Sequence, residues 1–278
     1  MKFTKMHGCG NDYVYVNLFE EKIDNPSELS IRISDRHFGI GSDGLITIGP
    51  SAIADFTMHI YNADGSEAEM CGNGVRCVGK YVYDHGLTDK TEVTVETGAG
   101  IKVLQLFVKD GKVDSVRVDM GEPKFAPQEI PVDYAGEQVV NAPIQVGDKT
   151  WNMTCVSMGN PHAVVFVEDT AKFPIESYGP LFENHVLFPK RTNTEFVQVL
   201  SEEEVNMRVW ERGSAETWAC GTGTCACVVA CILNGHTKRK VLVHLLGGDL
   251  VIEWDEATNH VFMTGPATEV FSGEILDC

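Results

Sequence analysis

The feature that most constrains this chain is a repeat. "EMCGNGVRC" at residues 69–77 and "WACGTGTCA" at 218–226 each place Cys-Gly-x-Gly at the head of a largely apolar run. Each run then stops at a glycine, Gly86 or Gly235. Cys220 follows Cys71 by 149 positions (220 − 71), and the same offset pairs Asn11 with Asn160, Gly44 with Asn193, Asn62 with Glu211 and Asn73 with Thr222. Five polar or turn positions in one register describe a two-copy duplication, not a solenoid of short repeats. Each half reads as strand, polar turn, Cys-Gly-x-Gly, helix, strand and hairpin. The predicted fold is therefore α+β: two pseudo-symmetric lobes, each with an antiparallel sheet wrapped around a central helix. The lobes are placed at 1–119 and 120–265, with the tail 266–278 returning to the first lobe as a strand. "GEPKFAP", residues 121–127, reads as the linker because it is rich in Pro and Gly. The duplication predicts that both helix starts face one cleft between the lobes.

Local patterns agree with this plan. "DYVYVNL", "GLITIG", "FTMHIYN", "TEVTVET", "AVVFVED" and "TEFVQVL" are β-branched and aromatic, and many alternate with polar residues, as strands do. "KDGK" and "LLGGDL" are hairpin turns. "NPSELSIRISDRHF" opens with Asn25 as N-cap and Pro26 at the first helical position. The run after Cys220 is apolar nearly all round, which predicts a helix buried within the sheet.

Composition narrows the function. A formal charge of −18 with scattered Lys and Arg argues against a nucleic-acid partner. No apolar run is long enough to span a membrane and the amino terminus has no signal-peptide core, so a cytoplasmic location is the default. Nine cysteines in no extracellular pattern read as reduced thiols. Cys77, Cys155, Cys225, Cys227 and Cys231 read as core residues, and Cys278 as incidental.

Cys71 and Cys220 differ from these because each immediately precedes Gly-x-Gly at a helix start. Zinc fits poorly: Cys71 and Cys77 are too widely spaced, and "CGTGTCAC" has no His pair nearby. A disulfide between Cys71 and Cys220 would normally stay reduced in the cytosol. At a helix start the first-turn N–H groups lack intrahelical partners, and the positive dipole end is expected to lower a thiol's pKa. Glycine there admits a ligand to the backbone, and the same amides can hold a carboxylate. Two such thiols across a cleft suit inversion of a stereocentre. One thiolate takes a proton and the opposite thiol returns one. No metal, pyridoxal or nicotinamide is required, and no P-loop or dinucleotide motif is present.

"MHGCGNDY", "HFGIGSDGLI", "YNADGSEAEMCGNGVRC", "VSMGNPHAVVFV", "KRTNTEFVQV" and "RVWERGSAETWACGTGTCA", in order from residue 6 to about residue 227, together resemble the diaminopimelate epimerase family. The resemblance implies a cofactor-independent isomerase that interconverts LL- and meso-diaminopimelate in lysine and peptidoglycan precursor synthesis. It implies Cys71 and Cys220 as the acid/base pair, with His162 and Glu211 supporting their protonation. Asn11, Asn62, Asn160, Asn193, Glu211 and Arg212 would hold the substrate's amino and carboxylate groups. Gly72, Asn73, Gly221 and Thr222 would surround the reacting carboxylate. The resemblance also allows a homodimer.

Two positions depart from the family pattern. Gly44 stands where some members have Gln, and Ala215 replaces the Gly usual in "GxGET", at a turn where positive φ is expected. The competing readings are a proline or hydroxyproline racemase on the same duplicated fold and a non-catalytic amino-acid-binding protein. An isomerase of the phenazine-biosynthesis type would put carboxylates where Cys71 and Cys220 stand.

Overall fold

A computed structural model describes residues 1–276; Cys278 and the end of the 266–278 tail lie outside the described residues. The chain forms two compact units: residues 1–119 with the chain from Thr264 onward, and residues 120–263.

The first unit contains β1 (Lys2–Gly8), β2 (Asn11–Asn17), α1 (Pro26–Ser34), β3 (Gly44–Gly49), β4 (Phe56–Asn62), β5 (Glu67–Ala68), α2 (Gly72–Asp84), β6 (Glu92–Thr97), β7 (Gly100–Lys109) and β8 (Lys112–Asp119). The second contains β9 (Ala142–Val146), β10 (Lys149–Ser157), β11 (Pro161–Phe166), α3 (Ile175–Glu183), β12 (Asn193–Ser201), β13 (Glu204–Glu211), β14 (Ala215–Thr217), α4 (Gly221–Leu233), β15 (Lys240–Leu245) and β16 (Gly248–Trp254). After β17 (Val261–Pro266), β18 (Thr268–Glu274) pairs antiparallel with β1.

The two units repeat one pairing scheme. β1–β2, β3–β4 and β6–β7 are antiparallel, as are β10–β11, β12–β13 and β15–β16. The sheets are mixed rather than purely antiparallel. β2–β3 and β4–β6 run parallel, as do β11–β12 and β13–β15. The reason is connectivity: α1, α2, α3 and α4 lie between those strands, and a parallel pair needs such a crossover.

Local chemistry sets the element ends. Asn25 caps α1 by accepting from the Glu28 amide at 3.3 Å, and Pro26 stands at the first helical position. The turn between β7 and β8 places Asp110 and Gly111 at φ 52° and 77°, the left-handed pair that a tight hairpin prefers. Gly86 and Gly235 end their helices at φ 73° and 70°.

Within each unit the Cys-Gly-x-Gly helix is the interior element. Val228, Val229, Cys225, Cys227 and Cys231 of α4 are all fully buried, as are Val75, Cys77, Val78 and Val82 of α2. Burial of each valine is worth about 1.5–3 kcal/mol. α3, which sequence patterns did not predict because of its internal Pro180, belongs to an aromatic layer of Phe173, Phe182, Phe196 and Trp151. No helix among the described residues is long and apolar enough to cross a membrane.

Candidate active site

In the first unit, Cys71 is the N-cap of α2, with extended backbone at φ −137° and ψ 111°. Its sulfur accepts from the Gly74 amide at 3.3 Å and lies 3.2 Å from Asn11 Oδ1. Asn73 Nδ2 reaches the same Asn11 oxygen at 3.5 Å, so Asn11, Asn73 and Cys71 form one polar cluster. Asn11 is held in turn by Asp43, to which its Nδ2 donates at 2.8 Å. Asn62, on β4, pairs across the ladder with Gly44, and its amide nitrogen donates to Ser66 Oγ at 3.0 Å. A Cβ on Gly44 would stand 2.2 Å from the Tyr61 carbonyl oxygen. The glycine is therefore required by how closely β3 approaches β4, and any substrate contact there comes from backbone.

Two residues of this cluster were missed at the sequence level. Tyr13 is buried near Cys71 and Asp43, and burial above all holds its phenol well above its usual range, so that it stays protonated beside the thiol. Arg76 is fully buried and donates to the Gly72 and Pro266 carbonyls, each at 3.1 Å. No local sequence pattern marks either residue: Tyr13 reads as a strand aromatic and Arg76 as a surface helix cation.

In the second unit, Cys220 caps α4 at φ −120° and ψ 110°. Its carbonyl accepts from the Thr224 amide at 2.9 Å, and its sulfur lies 3.6 Å from Thr222 Oγ1. Asn160 Nδ2 donates to Thr222 Oγ1 at 3.2 Å. His162 is fully buried, with Nε2 at 2.9 Å from Asn160 Oδ1 and Nδ1 at 2.7 Å from Glu195 Oε1. Both imidazole nitrogens are thus occupied, and His162 reaches the thiol only through Asn160 and Thr222. Glu211 accepts from the Thr217 hydroxyl, and Asn193 Oδ1 accepts from the Arg212 amide at 2.9 Å. The Arg212 guanidinium donates to the Lys190 carbonyl at 3.1 Å. Ala215 keeps the left-handed turn at φ 60° despite its Cβ.

The helix starts do not leave these thiols acidic. Burial pushes the Cys71 thiol up, and the Gly74 and Asn73 amides, Arg76 and Tyr13 only partly offset it. Cys220 is pushed well above its usual value by burial and then by the Glu211 and Glu195 carboxylates, against Thr222 and the Gly223 amide. Desolvation outweighs the dipole because an anion is costly away from water, and Cys220 is buried and Cys71 partly so. The two sites differ in their neighbours, with the Arg76 guanidinium beside Cys71 and the carboxyl groups of Glu211 and Glu195 beside Cys220.

Among the described residues no cluster of His, Cys, Asp and Glu is arranged to hold a metal, and the eight described cysteines are free thiols. The arrangement offers each thiol a set of fixed donors and acceptors suited to an amino-acid carboxylate and amine.

The model of the family "Diaminopimelate epimerase" matches residues 3–126 and 154–270. A protein of Agathobacter rectalis bearing that name is 73% identical over 99% of both chains. One from Acetivibrio thermocellus is 60% identical over 99% of this chain and 98% of its own. Solved structures with this fold include a PhzF-family phenazine biosynthesis protein from Bacillus anthracis, at TM-score 0.72 and 16% identity over 99% of both chains. They also include a hydroxyproline epimerase from Agrobacterium vitis, at TM-score 0.68 and 16% identity over 99% of this chain and 90% of its own. At such low identity these structures show the fold alone.

Proposed function

The chain belongs to the diaminopimelate epimerase family, and from that membership we propose that it inverts one α-carbon of diaminopimelate, interconverting the LL and meso forms. It is an isomerase that needs no pyridoxal phosphate, and it serves lysine and peptidoglycan precursor synthesis. The observation that carries the reading is the duplicated Cys-Gly-x-Gly helix start, with a thiol as N-cap of each interior helix.

In the forward direction one cysteine, as thiolate, takes the α-hydrogen as a proton. The electron pair of the broken C–H bond stays on the α-carbon, delocalised into its carboxylate. The other cysteine, as thiol, delivers its proton to the opposite face, so the two sulfurs exchange protonation states in each turnover. Gly72, Asn73, Gly221 and Thr222, in the first turns of α2 and α4, bind the reacting carboxylate at the positive ends of the two helices. Asn11, beside the Cys71 sulfur, and Asn160, bound to Thr222 next to Cys220, orient the reacting amine. Asn62, Asn193, Glu211 and Arg212 hold the distal amino-acid centre, where a guanidinium suits the carboxylate and a glutamate the ammonium. Water exclusion around the bound substrate lowers the cost of the carbanion and makes the high thiol pKa values workable.

Turnover in deuterated water tests this directly. The inverted α-carbon acquires one solvent deuterium, and Cys71→Ser and Cys220→Ser each abolish epimerisation. Inversion without deuterium uptake, or a near-normal rate in either variant, refutes the two-thiol assignment. The enzyme is further proposed to act in the cytoplasm as a homodimer; a sedimentation mass near 30.5 kDa would contradict the dimer.

A further inference from the structure

We propose that Glu195 is a positioning residue, which shares one proton with His162 and thereby fixes a hydrogen-bond chain running through Asn160 and Thr222 to the Cys220 sulfur. The inference rests on the reading above only in taking Cys220 as an acid/base group.

Donor and acceptor accounting carries it. Asn160 donates to Thr222 through Nδ2, so the atom facing His162 Nε2 is the Oδ1 acceptor, and Nε2 must carry hydrogen. A neutral imidazole has then used its single N–H. Its Nδ1 lone pair would face Glu195 Oε1 at 2.7 Å, which is repulsive unless a proton lies between them. With that proton the pair is neutral overall. Both side chains are fully inaccessible to solvent, so neutrality avoids an uncompensated buried charge. Burial pushes the Glu195 carboxyl up, with His162 opposing. Glu195 Oε2 has no hydrogen-bond partner among the described residues, which is tolerable for a shared or neutral acid and expensive for a full carboxylate. The titratable groups around Glu195 are His162 from β11, Glu211 from β13, Cys155 from β10, and Cys220 and Cys227 from α4. Only His162 among them can supply positive charge.

The duplication provides an internal control. At the offset of 149, Glu195 corresponds to Ile46, His162 to Tyr13 and Gly223 to Gly74. Tyr13 pairs with Gly44 as His162 pairs with Asn193. A Cβ on Gly74 would meet Ile46 Cδ1 at 2.6 Å, and one on Gly223 would meet Glu195 Oε1 at 2.5 Å. The same niche beneath a helix start is thus filled by a fully buried isoleucine in one unit and by a carboxyl in the other. Packing needs no charge there.

The chain leaves the Thr222 hydroxyl free to serve both states of Cys220. Thr222 Oγ1 accepts from Asn160, so its own hydrogen can point to a thiolate, and its second lone pair can accept from a thiol. Only that rotor turns; Asn160 and His162 stay where Glu195 holds them.

The test uses the full-length protein with ¹⁵N-labelled histidine, comparing wild type with Glu195→Gln and Glu195→Ile. The wild type shows a far-downfield bridging proton assigned to His162, and both variants lose it. The glutamine amide still donates to Nδ1, so Glu195→Gln lowers kcat by about 10-fold, while Glu195→Ile lowers it by about 100-fold, with KM within about 2-fold in both. Absence of the bridging proton in the wild type overturns the proposal, as does a Glu195→Ile kcat within about 2-fold of wild type. A loss that moves KM and kcat together in both variants also overturns it, as a merely structural effect. Should Glu195→Ile not fold, the isosteric Glu195→Gln decides through the same resonance and kcat. The resonance needs no turnover. A wild type that epimerises nothing therefore sinks the epimerase reading while the shared proton is still judged.

Discussion

Adding one methyl group at Gly223 probes how tightly the Cys220 site is held. A Cβ there would stand 2.5 Å from Glu195 Oε1 and 3.3 Å from Cys220 Sγ. An ordinary carbon–oxygen contact is about 3.4 Å, so roughly 0.9 Å must be found between the start of α4 and β12. Glu195 cannot swing away cheaply because its Oε1 is bound to His162 at 2.7 Å. The helix start, and Cys220 with it, has to move. Overpacking of this kind costs about 1–3 kcal/mol of stability. A displacement near 1 Å at a reacting group can cost about 100-fold in rate. Gly223→Ala is therefore expected to lower kcat by roughly 30- to 100-fold, read by deuterium incorporation at the α-carbon under saturating substrate. Gly74→Ala is the matched comparison. Its Cβ would meet Ile46 Cδ1 at 2.6 Å, but that is the free end of an apolar side chain, which can change rotamer. Its loss in kcat should be clearly smaller. Wild-type kcat in Gly223→Ala, or an equal loss in both variants, would refute the reasoning.

Two further outcomes concern stability. Ala215 sits at φ 60°, where a Cβ costs about 1–2 kcal/mol, so Ala215→Gly should raise unfolding stability by about 0.5–1 kcal/mol after the added chain entropy; an unchanged denaturation midpoint contradicts this. Asp55 accepts from Lys90 Nζ and from the Thr94 amide and hydroxyl, and the Lys90 pairing leads in depressing its pKa to about 2. A depressed carboxylate contributes stability above its unfolded pKa and loses it as pH falls through the folded value. Asp55→Asn should therefore cost about 1 kcal/mol at neutral pH, allowing for solvent screening, and the difference should close between about pH 4 and pH 2. A gap that persists at pH 2 contradicts the assignment.

Much of the architecture was legible because it is written in local chemistry. Asn25 and Pro26 mark the start of α1, Gly86 and Gly235 stop the interior helices, and Asp110–Gly111 turns a hairpin. The duplication was legible because its two copies keep one spacing. That spacing also points to α3: α1 at 26–34, moved by 149, lands on 175–183, although Pro180 hides the helix from local patterns. The mixed pairing of the sheets was not legible, since antiparallel and parallel strands share a residue pattern.

The chemistry at the thiols divides along the same line. The residues themselves determined that two cysteines cap two equivalent interior helices, because Cys-Gly-x-Gly before an apolar run has few other uses. Only the tertiary structure decided how acidic they are: burial overrides the helix starts, with Arg76 beside Cys71 and Glu211 and Glu195 beside Cys220. Glu195 is the clearest case. In "TEFVQV" it reads as an ordinary strand residue turned to solvent. β12 instead packs against α4 on one side and, through its own Phe196, joins the aromatic layer of Phe173 and Phe182 on the other, so both of its faces are interior. A carboxyl placed there needs a proton or a partner, and His162, 33 residues away in sequence, is brought to it only by the parallel pairing of β11 with β12.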